Sequence, residues 1–222
     1  DRISQTVRQM LADGYRCLVD ISPNGRHLAV AGAPDGPHAV VLLGIDGAVD
    51  ATLGADRDTR LWALAFRPDC LDRPELLLMV ETPAGFTVAT WSPVTGLVLR
   101  RHLTFPSTAS ARWYPAGRST AGPEVLVQHE SAGRSRLLVA DIDGTESREL
   151  SIPAGTVHDL SCGPDGTIYC LWGRAGTPAT LLTIDPRHDS AGLFRSTSSG
   201  PVETAPHGVT DLWTPTGYGT VH

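Results

Sequence analysis

The stretch Val157–Trp172, VHDLSCGPDGTIYCLW, decides the fold. It reads as one β-hairpin: a first run with alternating apolar residues, the turn sequence Gly-Pro-Asp-Gly, and a second run, TIYCLW, rich in β-formers. The same unit recurs along the chain. Residues 17–32 read CLVDISPNGRHLAVAG, residues 61–80 contain LWALAFRPD and then ELLLMV, and residues 110–129 contain SARWYPAG and then EVLVQH. A proline follows the first strand each time, at Pro23, Pro68, Pro115 and Pro164, with a fifth candidate at Pro215. Their spacings of 45, 47, 49 and 51 residues match the period of four-stranded propeller blades.

Composition supports many short strands. With 41% hydrophobic residues in 222 the chain can bury a core, while 23 glycines and 17 prolines require frequent tight turns. The net charge is −6, all 18 basic residues are arginine, and no basic run exceeds Arg100–Arg101. Nucleic-acid and anionic-membrane binders need a concentrated positive field, so neither partner is expected. No stretch approaches the roughly 20 apolar residues of a membrane-spanning helix, and DRISQTVRQM at residues 1–10 has no signal-peptide character. Cys17, Cys70, Cys162 and Cys170 include no CxxC pair, and the expected compartment is the reducing cytoplasm. If the GPDG turn directly joins paired strands, Cys162 faces Thr167 and forms no bridge with Cys170.

In chain order, Ile3, Val7, Met10 and Leu11 form an apolar stripe before Gly14, which predicts a short amphipathic helix over residues 1–14 covering a sheet edge or, alternatively, binding a partner. The predicted all-β region covers residues 15–200, with four recognisable blades at 15–53, 60–103, 109–152 and 157–196. The turn-rich, weakly hydrophobic SSGPVETAPHG reads as a linker. Residues 201–222 are thus read as linker and strand pair leading to a missing domain or blade. Four blades alone form an incomplete arc with an uncovered edge and face, so association with another domain or with a second copy is expected.

The hairpins SPNGRHLAVAG and GPDGTIYCLWG resemble the SPDG-and-strand repeat of TolB-like and prolyl-oligopeptidase-type (peptidase family S9) propellers. The closing VTDLWTPTGYGTVH is similar to the junction where an S9 propeller hands over to its α/β-hydrolase domain. The resemblance implies a non-catalytic propeller that gates or selects peptide substrate for a serine peptidase or related hydrolase. The partner it implies is an α/β-hydrolase domain, in the same protein or in a partner chain. The family usually has seven blades against the four seen here, and its catalytic triad lies in the other domain. The rival reading is a free-standing propeller serving as a protein-binding scaffold.

The residues themselves offer little chemistry. A nucleophile elbow needs G-x-S-x-G, and the nearest strings, GRSTAG from Gly117 and GRSRLL from Gly133, lack the second glycine and read as turns. The histidines, His27, His38, His102, His129, His158, His188, His207 and His222, show no metal-ligand spacing. DIDG at Asp141–Gly144 has the start of a calcium loop without its downstream ligands and falls where a turn is required, as does GIDG at Gly44–Gly47. Asp20 and Asp159 lie in first strands, where a glycosidase would place paired carboxylates, but such acids equally bond neighbouring backbone. Trp62, Trp113 and Trp213 fall in first strands and Trp172 ends a second; packing between blades is expected, with stacking on a substrate at the channel mouth as the alternative. The sequence therefore assigns no catalytic residue, no cofactor or cofactor-binding residue and no metal ligand.

Overall fold

The structure, a computed structural model, describes residues 18–31, 40–54, 60–71, 73–115, 122–144, 146–174, 178–185, 190–193, 214–216 and 219–221. They form four four-stranded antiparallel meanders and one strand pair. Blade 1 comprises β1 (Leu18–Ile21), β2 (His27–Ala31), β3 (Val40–Gly44) and β4 (Val49–Leu53). Blade 2 comprises β5 (Arg60–Phe66), β6 (Leu76–Thr82), β7 (Gly85–Ser92) and β8 (Gly96–Phe105). Blade 3 comprises β9 (Ala109–Tyr114), β10 (Glu124–Ser131), β11 (Arg134–Asp141) and β12 (Ser147–Leu150). Blade 4 comprises β13 (Thr156–Cys162), β14 (Ile168–Gly173), β15 (Thr180–Asp185) and β16 (Ser190–Leu193). Among the described residues there is no helix, hence none long and apolar enough to cross a membrane. The helix expected over residues 1–14 lies outside the described residues.

The turn chemistry sets the register. In GPDG the Gly163 N–H donates to Thr167 O at 2.8 Å, the Gly166 N–H donates to Gly163 O at 3.0 Å, and Gly166 is left-handed at φ +82°. This is a type I turn extended by one left-handed glycine, a common hairpin closure. The extra residue puts Gly163, and not Cys162, opposite Thr167. Cys162 therefore pairs with Ile168, one step from the predicted register, while Cys170 pairs with Leu160. Gly44, Gly47 (φ +80°) and Ala48 repeat the arrangement in GIDG. Cys70, Cys162 and Cys170 are free thiols.

Period-2 alternation makes the blades stack. In β6, Leu76, Leu78 and Val80 face blade 1, packing with Ala29, Val40 and Leu42, while Leu77 and Met79 face blade 3, packing with Ala111, Val125 and Val127. These five apolar residues of β6 are essentially inaccessible, and each such side chain contributes about 1.5–3 kcal/mol on burial. Blades 3 and 4 join through Leu126, Leu137, Val139, Ile168, Cys170 and Leu182. No apolar cluster of described residues joins blade 4 back to blade 1, so the four sheets form an unclosed arc. Tyr169, Leu171 and Leu181, on the free face of blade 4, are 36–40% exposed.

Polar ties order the first strands as β1, β5, β9, β13. The Phe66 N–H donates to Asp20 Oδ2 at 2.7 Å, Trp113 Nε1 donates to Ala65 O at 3.2 Å, and Arg112 lies 3.5 Å from Asp159 Oδ1. The proline turns adjoin as well: Asn24 donates to Leu71 O, Arg67 lies over the Trp113 ring, and Tyr114 Oη donates to Gly166 O at 2.8 Å. Burial pushes the Tyr114 phenol up to about 12. Pro23, Pro68, Pro115 and Pro164, each just past a first strand, thus share one rim. Near residue 222, β17 (Thr214–Thr216) and β18 (Gly219–Val221) pair with Thr214 opposite Val221. Pro215 stands inside β17 and not after it, so it does not extend the series of post-strand prolines.

Candidate binding rim

The rim opposite the prolines is built by two matching irregularities. Leu61 pairs with Val80 and Ala63 with Met79, which leaves Trp62 as the inserted residue of a β-bulge. Val157 pairs with Trp172 and Asp159 with Leu171, which leaves His158 inserted in the same way. Each stands six residues before its blade's proline, Pro68 or Pro164. Strict alternation would place Trp62 with Leu64 and Phe66 on the face toward blade 1. The bulge slips the frame, Leu61 takes that place, and Trp62 is released.

Trp62 is accordingly 42% exposed, against 8% or less for Trp91, Trp113 and Trp172. The expected packing between blades holds for Trp113 and Trp172 and fails for Trp62; Trp213 lies outside the described residues. The Trp62 indole is nonetheless fixed. Its Nε1 donates to Glu81 Oε2 at 2.7 Å, and its ring tilts 60° against Phe86 with centroids 5.8 Å apart. Phe86 pairs across strands with Phe105, and Phe105 stacks on His129 of blade 3 at 5.0 Å. Burial holds the His129 imidazole below its usual range, and its Nδ1 has no hydrogen-bond partner.

Beside it, Ser135 ties blade 3 to blade 4. Its hydroxyl donates to Glu130 Oε1 at 2.6 Å and accepts the Val157 N–H at 2.7 Å, and its own N–H donates to Gly155 O. Gln128 Nε2 adds bonds to Glu130 Oε1 and to Val157 O. The serine of GRSRLL is therefore a buried strut, with its hydroxyl committed on both sides; most of GRSTAG lies outside the described residues.

Three solved structures share this architecture. TolB from Acinetobacter baumannii superposes with a TM-score of 0.64 at 14% identity, covering 83% of this chain and 45% of that one. A prolyl endopeptidase gives 0.59 at 16%, covering 80% and 26%, and a puromycin hydrolase gives 0.61 at 18%, covering 90% and 32%. The fold is a β-propeller of the TolB and S9-peptidase type. The likeness is one of fold, and the chain spans less than half the length of each of these proteins. No family model matches the sequence, and no curated protein does.

The propeller uses the remaining singled-out residues structurally. Asp20 and Asp159 accept backbone N–H groups of Phe66 and Leu160 and do not stand as a free carboxylate pair. Asp141 Oδ1 accepts the amides of Asp143 and Gly144, so the DIDG turn caps itself. His27 lies 3.5 Å from Asp50, and His102 contacts Asp141 O at 3.4 Å. His38, His188, His207 and His222 lie outside the described residues. Among the described residues no group of three His, Cys, Asp or Glu side chains is placed to hold a metal. The first-strand position of Trp62 predicts packing between blades, and its release depends on a bulge that only the pairing reveals.

Proposed function

We propose that this propeller gates and selects peptide substrate for an S9-type serine peptidase or related α/β-hydrolase unit, carried in the same protein or by a partner chain. The observation carrying this reading is the superposition on 26% of a prolyl endopeptidase and 32% of a puromycin hydrolase, which leaves most of each molecule without a counterpart in these 222 residues. In this reading residues 15–200 form the gate and 201–222 lead to the hydrolase. A cytoplasmic location belongs to the same proposal.

The test is fluorophosphonate labelling of the native protein, captured through a tag on this propeller, followed by cleavage assays on a short peptide and on the same peptide inside a folded protein. Labelling of a serine outside this chain, with cleavage of the short peptide alone, is expected; absence of any labelled serine would overturn the proposal. A protein-binding scaffold is the second reading. The exposed Tyr169, Leu171 and Leu181 favour it, as a face on which another polypeptide could pack.

A further inference from the structure

We propose that Trp62, Glu81 and Phe86, at the rim opposite the prolines, form a binding site for an organic cation, a guanidinium or ammonium group. The inference stands apart from the hydrolase reading, because every residue it uses lies in blade 2.

The first ground is that the fold holds a large aromatic ring in water in one orientation. The bulge places Trp62 outside the core with 42% exposure, and the bond from Nε1 to Glu81 Oε2 and the contact with Phe86 stop it from collapsing onto the sheet. A ring that served only packing would sit where Leu61 now does. The second ground is electrostatic. Cations bind the negative face of an indole, and donation of the N–H to a carboxylate pushes electron density into the ring and strengthens that face.

Glu81 supplies the third ground. Among the described residues, its carboxylate has no partner other than Trp62, which leaves Oε1 to accept from a cation lying over the ring. Arg60 is the cross-strand neighbour of Glu81, but forms no ion pair with it among the described residues and does not stack on Trp62. A planar guanidinium has the shape for this corner: one face on Trp62, an edge toward Phe86, and N–H groups toward Glu81. The net charge of −6 favours approach of a cation.

The experiment is titration calorimetry with acetyl-arginine amide, acetyl-norleucine amide, and a blocked glycine pentapeptide with central arginine or norleucine. It is run on the native protein and on Trp62→Leu and Glu81→Gln, with circular dichroism to confirm that both variants fold. The arginine probes are expected to bind and the norleucine probes not. Trp62→Leu should weaken binding by about tenfold or more, and Glu81→Gln, which retains an acceptor for the indole, by several-fold with loss of salt dependence. An arginine pentapeptide that binds more tightly than the blocked amino acid assigns the ligand to a peptide side chain. Equal affinity assigns it to a small free cation. Equal binding of arginine and norleucine probes, an unchanged affinity in Trp62→Leu, or no binding at about 10 mM probe overturns the site.

Discussion

Replacing Ser135 with alanine removes one hydroxyl that serves two blades. The Val157 N–H, now donating to Ser135 Oγ at 2.7 Å, is left without its partner in a buried position, and Glu130 Oε1 keeps only Gln128 at 3.1 Å. An unsatisfied buried amide costs about 1–3 kcal/mol, and a hydrogen bond to a charged group contributes about 1.5–3 kcal/mol. Both losses share one atom and are not additive, so a destabilisation of about 2–4 kcal/mol is expected. With a urea slope near 3 kcal/mol/M, the midpoint should fall by about 1 M. Because adjacent blades are coupled through their shared faces, the damage should begin at the boundary of blades 3 and 4. The assay is urea unfolding together with native-state hydrogen exchange. Val157 and the β13 amides should lose protection before those of β6. A loss below about 0.5 kcal/mol, or unchanged protection at Val157, would show that Ser135 is not a strut between blades.

Three further outcomes are expected. Gly85 has φ +121°, and a Cβ there would stand 2.3 Å from Phe105 O, whereas Gly96, at φ +69°, faces open space. Gly85→Ala should therefore cost more than about 3 kcal/mol and Gly96→Ala about 1–2 kcal/mol in thermal unfolding, and equal losses would refute the close approach. Ala132 is the one described non-glycine residue at positive φ, 52°, so Ala132→Gly should raise stability by up to about 1 kcal/mol, read as a higher melting temperature. Burial disfavours the charged form of His129, with Arg136 opposing protonation and Glu149 and Glu130 favouring it. Its folded-state pKa lies below the unfolded value, so the unfolded chain binds the extra proton first. Stability at this site is intact above about 6.5 and falls as pH drops below it. His129→Phe should flatten the loss of stability below about pH 6.5, and an unchanged profile would assign the acid sensitivity elsewhere.

The blades themselves were legible because their signals are local. Alternation in ELLLMV and TIYCLW, and a turn proline or glycine at fixed offset, depend only on residues near in sequence, and the four meanders fall within a few residues of the predicted blades. The Cys162 register was missed by one residue because Gly166, at φ +82°, adds a position to the turn that GPDG alone does not declare. Trp62 was missed for a related reason: LWALAF alternates as well with the tryptophan buried as released, and the contact of Leu61 with blade 1 selects the bulged frame. The commitment of the Ser135 hydroxyl to Glu130 and Val157 joins residues from two blades and has no sequence signature. Periodicity and turn chemistry therefore settle which segments become strands, while which face a bulged residue takes, and which polar group crosses to the next blade, are decided when two sheets pack, since only then is one frame buried and the other left in water.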